Sequence, residues 1–215
     1  VSTLFKSLIF DLDGTLVDSY PAIHESLNYT LTSFGRSPVD LATVKKMVGR
    51  GLENLIHDAI GPDHLKAGVE LFKRSYDQTH LHGTFLLPKV KDTLQLLHRS
   101  GLSMAIASNK PSGYSRNILQ HLAIDQYFAA CYGPDIVQHT KPHPAMLQGL
   151  MKLLSVLPQQ TLYIGDMILD LETARNANVK VALIPTGGNS VEELKEIYPD
   201  YLLEDFSELI NLCVQ

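Results

Sequence analysis

The chain has 215 residues, roughly one and a half domains at about 150 residues each, which excludes a small stapled module and leaves one large domain or a core with an insertion. With 45% apolar and 19% charged residues the composition is that of a folded globular protein, and extensive disorder is excluded. A net charge of −5 announces no overall basic surface for nucleic acid.

In chain order, Leu4 to Phe10 reads as a first apolar strand. Between Ser19 and about Leu81 no strand pattern follows. Four helical patterns fit there instead, near 19–33, 40–47, 51–60 and 63–79, with Ser33-Phe34-Gly35 and Gly61-Pro62-Asp63 as breaks. Lys89 to Arg99 then places Val90, Leu94 and Leu97 on one helical face. Strands at Leu102 to Ala107, Ala129 to Tyr132, Leu162 to Ile164 and Val179 to Ile184 alternate with helical patterns at Asn117 to Leu122 and Ala145 to Leu154. Tyr201 to Leu203 reads as a short edge strand. Strand alternating with helix predicts an α/β fold, a doubly wound and mainly parallel sheet. The helical stretch predicts a small inserted helical domain over 16–85, with 1–15 and 86–215 forming the sheet domain. The chain should leave the sheet near Thr15 to Asp18 and return near Gly83 to Pro88.

Cys131 and Cys213 are too few for a disulfide framework and stand in no CxxC pair, so reduced thiols in the cytoplasm are the expectation. No apolar run reaches the ~18 residues of a membrane span, and no basic start followed by a long apolar run marks a signal peptide. Neither membrane nor nucleic acid is expected as a partner. Monomer and homodimer are both compatible with the sequence.

The chemistry sits just after the strands. Asp11 and Asp13 follow the first, in Phe10-Asp11-Leu12-Asp13-Gly14-Thr15. Ser108 and Asn109 follow a second, and Asp166 and Asp170 follow a later one in Gly165-Asp166-Met167-Ile168-Leu169-Asp170. Open α/β sheets bind ligands outside the carboxyl ends of their strands, so four carboxylates, a hydroxyl and Lys141 should converge there. Carboxylates gathered in one crevice need a cation to stay ionised. A hard dication with oxygen ligands fits, and Mg²⁺ is the expected one. The histidines form neither an HExxH nor a Cys/His array, which argues against zinc.

Asp11 and Asp13, two apart in an extended chain, should face one substrate. One can attack as a nucleophile and the other can protonate the departing oxygen. Ser108 and neighbouring N–H groups can hold phosphoryl oxygens, although a serine after a strand also serves as a turn or cap. Lys141 can supply positive charge, or stand solvated. Asp170 either acts on the metal through water or satisfies the first turn of a helix.

Together DxDGT, Ser108-Asn109-Lys110-Pro111, Lys141-Pro142 and GDxxxD, in this order, resemble the haloacid dehalogenase-like phosphohydrolases, and the resemblance covers nearly the whole chain. Within that superfamily the motifs look most like the phosphoglycolate phosphatase group of the branch with a small helical cap. The resemblance implies a Rossmann-like core and an Mg²⁺-dependent phosphatase acting on a small phosphorylated metabolite. It implies Asp11 as the nucleophile that becomes aspartyl phosphate. Asp13 becomes the general acid/base, with its backbone carbonyl on the metal. Ser108 and Lys141 hold the phosphoryl group, Asp166 ligates Mg²⁺, and Asp170 supports it through its waters. Thr15 and Asn109 are candidate substrate-binding residues. So is Arg50, because the two glycines of Val48-Gly49-Arg50-Gly51-Leu52 permit a tight loop that points a guanidinium inward, toward the carboxylate of 2-phosphoglycolate; the alternative is a solvated residue at a helix start. Tyr20, His24 and Lys45 are weaker candidates.

Three positions depart from the family pattern. Ser108 stands where Thr is also common, Met167 where a small polar residue often follows GD, and Asn178 where Gly usually ends the helix. The expected reaction is hydrolysis of a small phosphomonoester, 2-phosphoglycolate first. The rivals are an inorganic pyrophosphatase, a nucleotidase or a sugar phosphomutase of the same superfamily, and, from another class, a receiver-like or catalytically silent phosphate-binding protein.

Overall fold

A computed structural model describes residues 5–214. Six strands form one parallel sheet: β1 (Ser7–Phe10), β4 (Ser103–Ala107), β5 (Ala130–Tyr132), β6 (Thr161–Gly165), β7 (Lys180–Leu183) and β8 (Tyr201–Leu202). Two further strands, β2 (Val17–Asp18) and β3 (Phe85–Leu86), pair antiparallel as a separate ribbon. The ten α-helices among the described residues are α1 (Tyr20–Ser33), α2 (Leu41–Met47), α3 (Leu52–Ile60), α4 (Leu65–Thr79), α5 (Val90–Arg99), α6 (Ser112–His121), α7 (Ala145–Leu154), α8 (Ile168–Ala177), α9 (Val191–Glu196) and α10 (Glu208–Cys213). None is long and apolar enough to cross a membrane.

The strands carry apolar residues on both sides because both sheet faces are covered. Leu8 and Phe10 of β1, Met104 and Ile106 of β4, and Leu162 and Ile164 of β6 point into one core layer with α5, α6 and α10. The intervening Ile9, Ala105 and Tyr163 point into the other, with α7, α8 and α9. This period of two sorts side chains between the layers and makes the sheet doubly wound, as the alternation of elements predicts.

The sheet order is β5-β4-β1-β6-β7-β8. The chain runs outward from β1 through β4 to β5 and then comes back to β6 on the other side of β1. The reversal opens a crevice at the carboxyl end of β1, where such folds bind ligands.

Helices α1 to α4 pack on a third apolar cluster of their own, with Ile23, Leu27, Leu31, Val44, Leu55, Ile56 and Phe72 at its centre. This helical block leaves the sheet through β2 and returns through β3, in register Val17 with Leu86 and Asp18 with Phe85.

Leu4 lies outside the described residues, and the first strand begins at Ser7. The helix expected over 117–122 starts earlier, at Ser112. Its first turn has little apolar periodicity and is anchored from afar, since Asp135 accepts from the Ser112 backbone N–H at 2.8 Å. The ribbon pair at 17–18 and 85–86 is too short for an alternation pattern to reveal it. Asn178 closes α8 in the left-handed conformation (φ 56°), a role that Asn fills almost as well as Gly.

Candidate active site

The site begins where β1 ends. The Asp11 N–H still donates to the Ile164 carbonyl of β6 at 2.9 Å, which fixes Asp11 at the strand terminus. The chain then turns at Gly14, whose φ of +82° is strained for any side chain. One Asp11 oxygen accepts from the Leu12 N–H at 2.7 Å, and the other lies 2.7 Å from Nζ of Lys141. Asp13 has different partners. Its carboxylate accepts from the Ser19 hydroxyl and pairs with Nζ of Lys110 at 2.8 Å. Both aspartates line one crevice, each against its own buried lysine.

Asp166 and Asp170 enter from the β6–α8 junction. Asp170 is fully buried, and its four lone-pair sites are filled. One oxygen accepts from Lys141 Nζ at 2.8 Å and from the Tyr163 hydroxyl at 2.9 Å. The other accepts from the Asp166 and Met167 N–H groups at 3.1 and 3.0 Å. Asp170 therefore satisfies the first turn of α8, one of the two readings of its position, and also holds a charge beside Lys141.

Asp166 is the opposite case. Oδ1 accepts from the Thr15 hydroxyl at 2.6 Å, while Oδ2 is buried without a hydrogen-bond partner. An orphaned buried carboxylate oxygen is costly unless something absent from the protein satisfies it. A Cβ at Gly14 would stand 2.4 Å from that oxygen, and one at Gly187 only 1.7 Å from it. Both glycines are needed for the backbone to close around it.

Ligand atoms of Asp11, Asp166 and Asp170 lie within 4.8 Å of one another, the one such group among the described residues. Burial pushes the Asp11 carboxyl up to about 6; Lys141 pulls it back, and Asp170 and Asp13 add to the rise. Burial, then Asp170 and Asp11, drive Asp166 well above the carboxylate range. Two of the three carboxylates pair with one lysine, Lys141, and the donor set is all oxygen. The cluster can hold a metal ion, and a hard cation suits it. With Asp170 saturated, Asp11 and Asp166 are the side chains with coordination to spare.

Lys141 is itself buried, and burial alone would lower its pKa. Asp11 and Asp170 outweigh that and keep the ammonium charged. Asn109 fixes its backbone by accepting from the Lys141 N–H at 2.9 Å and donating to the Lys141 carbonyl at 3.2 Å. The same Asn109 amide donates to the Gly49 carbonyl of the helical block at 2.9 Å. Its side chain is thus spent on protein partners, and Asn109 positions Lys141 rather than presenting a free side chain to substrate. Thr15 is likewise fully buried, and its hydroxyl donates to Asp166 and so orients that carboxylate. Ser108 lines the crevice. Its N–H is taken by the Tyr132 carbonyl at 3.1 Å, and its hydroxyl oxygen accepts from the Lys110 N–H at 3.4 Å, which leaves the hydroxyl proton for a ligand.

Arg50 does not point inward. Gly49 and Gly51 do take positive φ (121° and 88°), but the loop they allow turns the guanidinium out. Its side chain is 61% exposed and pairs with Asp58 on the next helix. Gly49 also lies against the Met167 sulfur, where a Cβ would come within 2.8 Å of it, whereas Gly51 is required by its positive φ alone, since a Cβ there would meet the Asn109 carbonyl at an ordinary 3.6 Å. Tyr20 is buried with its hydroxyl beside the Asp166 cluster and unpartnered. His24 bonds the Val39 carbonyl at 2.9 Å, within the helical block. Lys45 stands over the Tyr20 ring at 5.0 Å.

Sequence reasoning missed several groups. Lys110 was visible only as part of the motif, yet it is the partner of Asp13 and is 7% exposed. Tyr76, from α4, accepts from Lys110 Nζ at 2.9 Å. Burial would lower the Lys110 pKa, but Asp13 and Tyr76 raise it overall. Tyr163, at the centre of β6, reaches both Lys141 and Asp170. The loop after β7 closes the site through Gly187, and through Thr186, which donates to the Gly14 carbonyl. A glycine pair just past a strand, Gly187-Gly188, was the available signal.

Comparison with known proteins agrees with this geometry. The family model of haloacid dehalogenase-like hydrolases matches residues 8–184, and the chain belongs to that family. It is 33% identical over 219 residues to phosphoglycolate phosphatase 1 of Pseudomonas aeruginosa, covering 98% of this chain and 80% of that one. A crystal structure from Haemophilus somnus, described as a predicted phosphoglycolate phosphatase, superposes with a TM-score of 0.92 at 29% identity, over 99% of both chains. A haloacid dehalogenase-like family hydrolase from Streptococcus pneumoniae superposes with a TM-score of 0.88 at 25% identity, over 96% of this chain and 97% of that one.

Proposed function

We propose that the protein is a Mg²⁺-dependent phosphatase that hydrolyses a small phosphomonoester through an aspartyl-phosphate on Asp11, with 2-phosphoglycolate the first candidate substrate. The placement of Asp11 carries the reading. It stands at the carboxyl end of the central strand, with one oxygen on Lys141 and within ligand distance of Asp166 and Asp170. The names of the relatives support the substrate.

In this reading Asp11 attacks phosphorus in line and its carboxylate becomes the acyl phosphate. Ser108 donates to a phosphoryl oxygen, and the Lys141 ammonium offsets negative charge on the same group. Asp13 protonates the departing alkoxide and then takes a proton from the water that attacks the aspartyl phosphate. Asp11, the Asp13 backbone carbonyl and Asp166 would hold Mg²⁺. The metal would supply charge neutralisation at the phosphoryl oxygens. Asp170 holds Lys141 in place and adds its charge nearby.

Residues 16–85 act as a cap. The contacts from Gly49 to Asn109 and from Tyr76 to Lys110 support a closed arrangement that keeps bulk water from the phosphoenzyme. A cytoplasmic location belongs to the same reading, supported by two free thiols.

The test is steady-state phosphate release in Mg²⁺ and in EDTA, over 2-phosphoglycolate, pyrophosphate, sugar phosphates and nucleoside monophosphates. Mg²⁺-dependent release, with 2-phosphoglycolate leading in kcat/KM, supports the whole reading. A lead for pyrophosphate or a sugar phosphate keeps the chemistry and removes the substrate. No turnover of any ester removes the enzyme reading.

A further inference from the structure

We infer that Lys110, together with Tyr76, reads the carboxylate on the leaving group, and that this pair sets the preference for 2-phosphoglycolate over an uncharged ester. The inference rests on the phosphatase reading above and assigns the recognition expected of Arg50 to a different residue.

The argument starts from charge. Arg50 is exposed and paired with Asp58, so it brings no positive charge to the crevice. The wall that the helical block contributes is apolar, with Ile23, Val48, Leu52, Leu55 and Phe72. Lys110 is the one cationic side chain that lines the crevice. Lys141 lies behind it, spent on Asp11 and Asp170.

Valence comes next. An ammonium has three donors. Among the described residues, one Lys110 donor goes to Asp13 and one to the Tyr76 hydroxyl. The third has no protein partner. The Tyr76 hydroxyl accepts from Lys110, and its own proton remains for a ligand.

Position completes the argument. In the proposed reaction Asp13 meets the ester oxygen. The Lys110 ammonium is 2.8 Å from the Asp13 carboxylate, on the side toward α4. A carboxylate one carbon beyond the ester oxygen falls beside this ammonium and hydroxyl. An uncharged alkyl group in the same place would leave a buried lysine donor without a partner. The apolar wall beyond offers no further positive charge for a second phosphate.

The experiment compares kcat/KM for 2-phosphoglycolate with that for ethyl phosphate, which lacks only the carboxylate function, in wild type, Lys110→Met, Lys110→Arg and Tyr76→Phe. Wild type should prefer 2-phosphoglycolate. In Lys110→Met that preference ratio should fall by about ten- to a hundredfold, the size of a lost charge-assisted hydrogen bond. Tyr76→Phe should lower it several-fold, and Lys110→Arg should keep most of it. The loss should appear mainly in KM for 2-phosphoglycolate. Inhibition by free glycolate should weaken in parallel, a binding readout independent of turnover.

If Lys110 serves only to position Asp13, both substrates lose alike and the ratio stays at its wild-type value, which overturns the inference. A wild-type enzyme without preference for the carboxylate overturns it too. Absence of phosphate release from both esters overturns this assignment; if pyrophosphate, sugar phosphates and nucleoside monophosphates are not hydrolysed either, the phosphatase reading falls with it. If Lys110→Met does not fold, the Tyr76→Phe and Lys110→Arg ratios decide.

Discussion

The Thr15 hydroxyl lies 2.6 Å from Oδ1 of Asp166, joining residues 151 positions apart in sequence. It binds the turn after the central strand to the neighbouring strand's acidic residue and fixes which Asp166 oxygen remains open.

Thr15→Val should therefore free the Asp166 carboxylate to rotate. Loss of such a supporting bond typically costs about 10–100-fold in metal affinity. Thr15→Ser keeps the hydroxyl and should bind nearly as well as wild type. Calorimetric titration with Mg²⁺ reads both, and equal affinities for the valine variant and wild type would show that the bond does not organise the site.

Asp11→Asn should abolish turnover, because an amide oxygen is too weak a nucleophile to form the acyl phosphate. Asp13→Asn should retain some, slowed by about 10²–10⁴-fold through loss of proton transfer. Rapid-quench trapping separates them: Asp13→Asn should still accumulate phosphoenzyme and Asp11→Asn should form none.

Mg²⁺ affinity should fall as the solution becomes more acid. Burial holds the Asp11 carboxyl up at about 6 in the metal-free protein, so below that pH a proton competes with the ion for the same oxygens. Each competing proton lowers apparent affinity by up to about tenfold per pH unit. The dependence should continue above pH 6, because burial and the neighbouring Asp170 and Asp11 hold the Asp166 carboxyl up as well. Titrations at several pH values check the slope; a flat profile through pH 6 would remove Asp11 from the binding set.

Gly187→Ala should disable metal binding while leaving the fold in place. The new methyl would stand 1.7 Å from Oδ2 of Asp166, so either the carboxylate or the loop after β7 must move. The change is at the site's edge, away from all three apolar clusters. Circular dichroism should match wild type, and the Mg²⁺ titration should not.

The sheet was legible because each strand is a short apolar run at a predictable distance from the next helix. The clustered aspartates were legible because they sit at the ends of those runs. What stayed hidden is contact between distant segments. Nothing near Thr15 or Asn109 says that their side chains will be consumed by Asp166 and Lys141. The outward turn of Arg50 depends on Asp58, two turns along the following helix, and on Met167 filling the space beneath Gly49. Lys110 appears in sequence only within Ser108-Asn109-Lys110-Pro111, and its pairing with Asp13 and its contact with Tyr76 of α4 show only in the fold. The motif gave the positions of charged groups, and tertiary packing decided which of them remain available.

The β2–β3 ribbon has a consequence of a different kind. Val17 faces Leu86 and Asp18 faces Phe85, so the chain departs from the sheet and re-enters it at one point. To the sheet, everything between is a loop whose ends are already tied, and the entropy of closing such a loop grows only slowly with its length. The helices between the ties can lengthen, shorten or be exchanged without disturbing the register of β1. Evolution can thus vary what the enzyme recognises while the strand that presents Asp11 stays as it is.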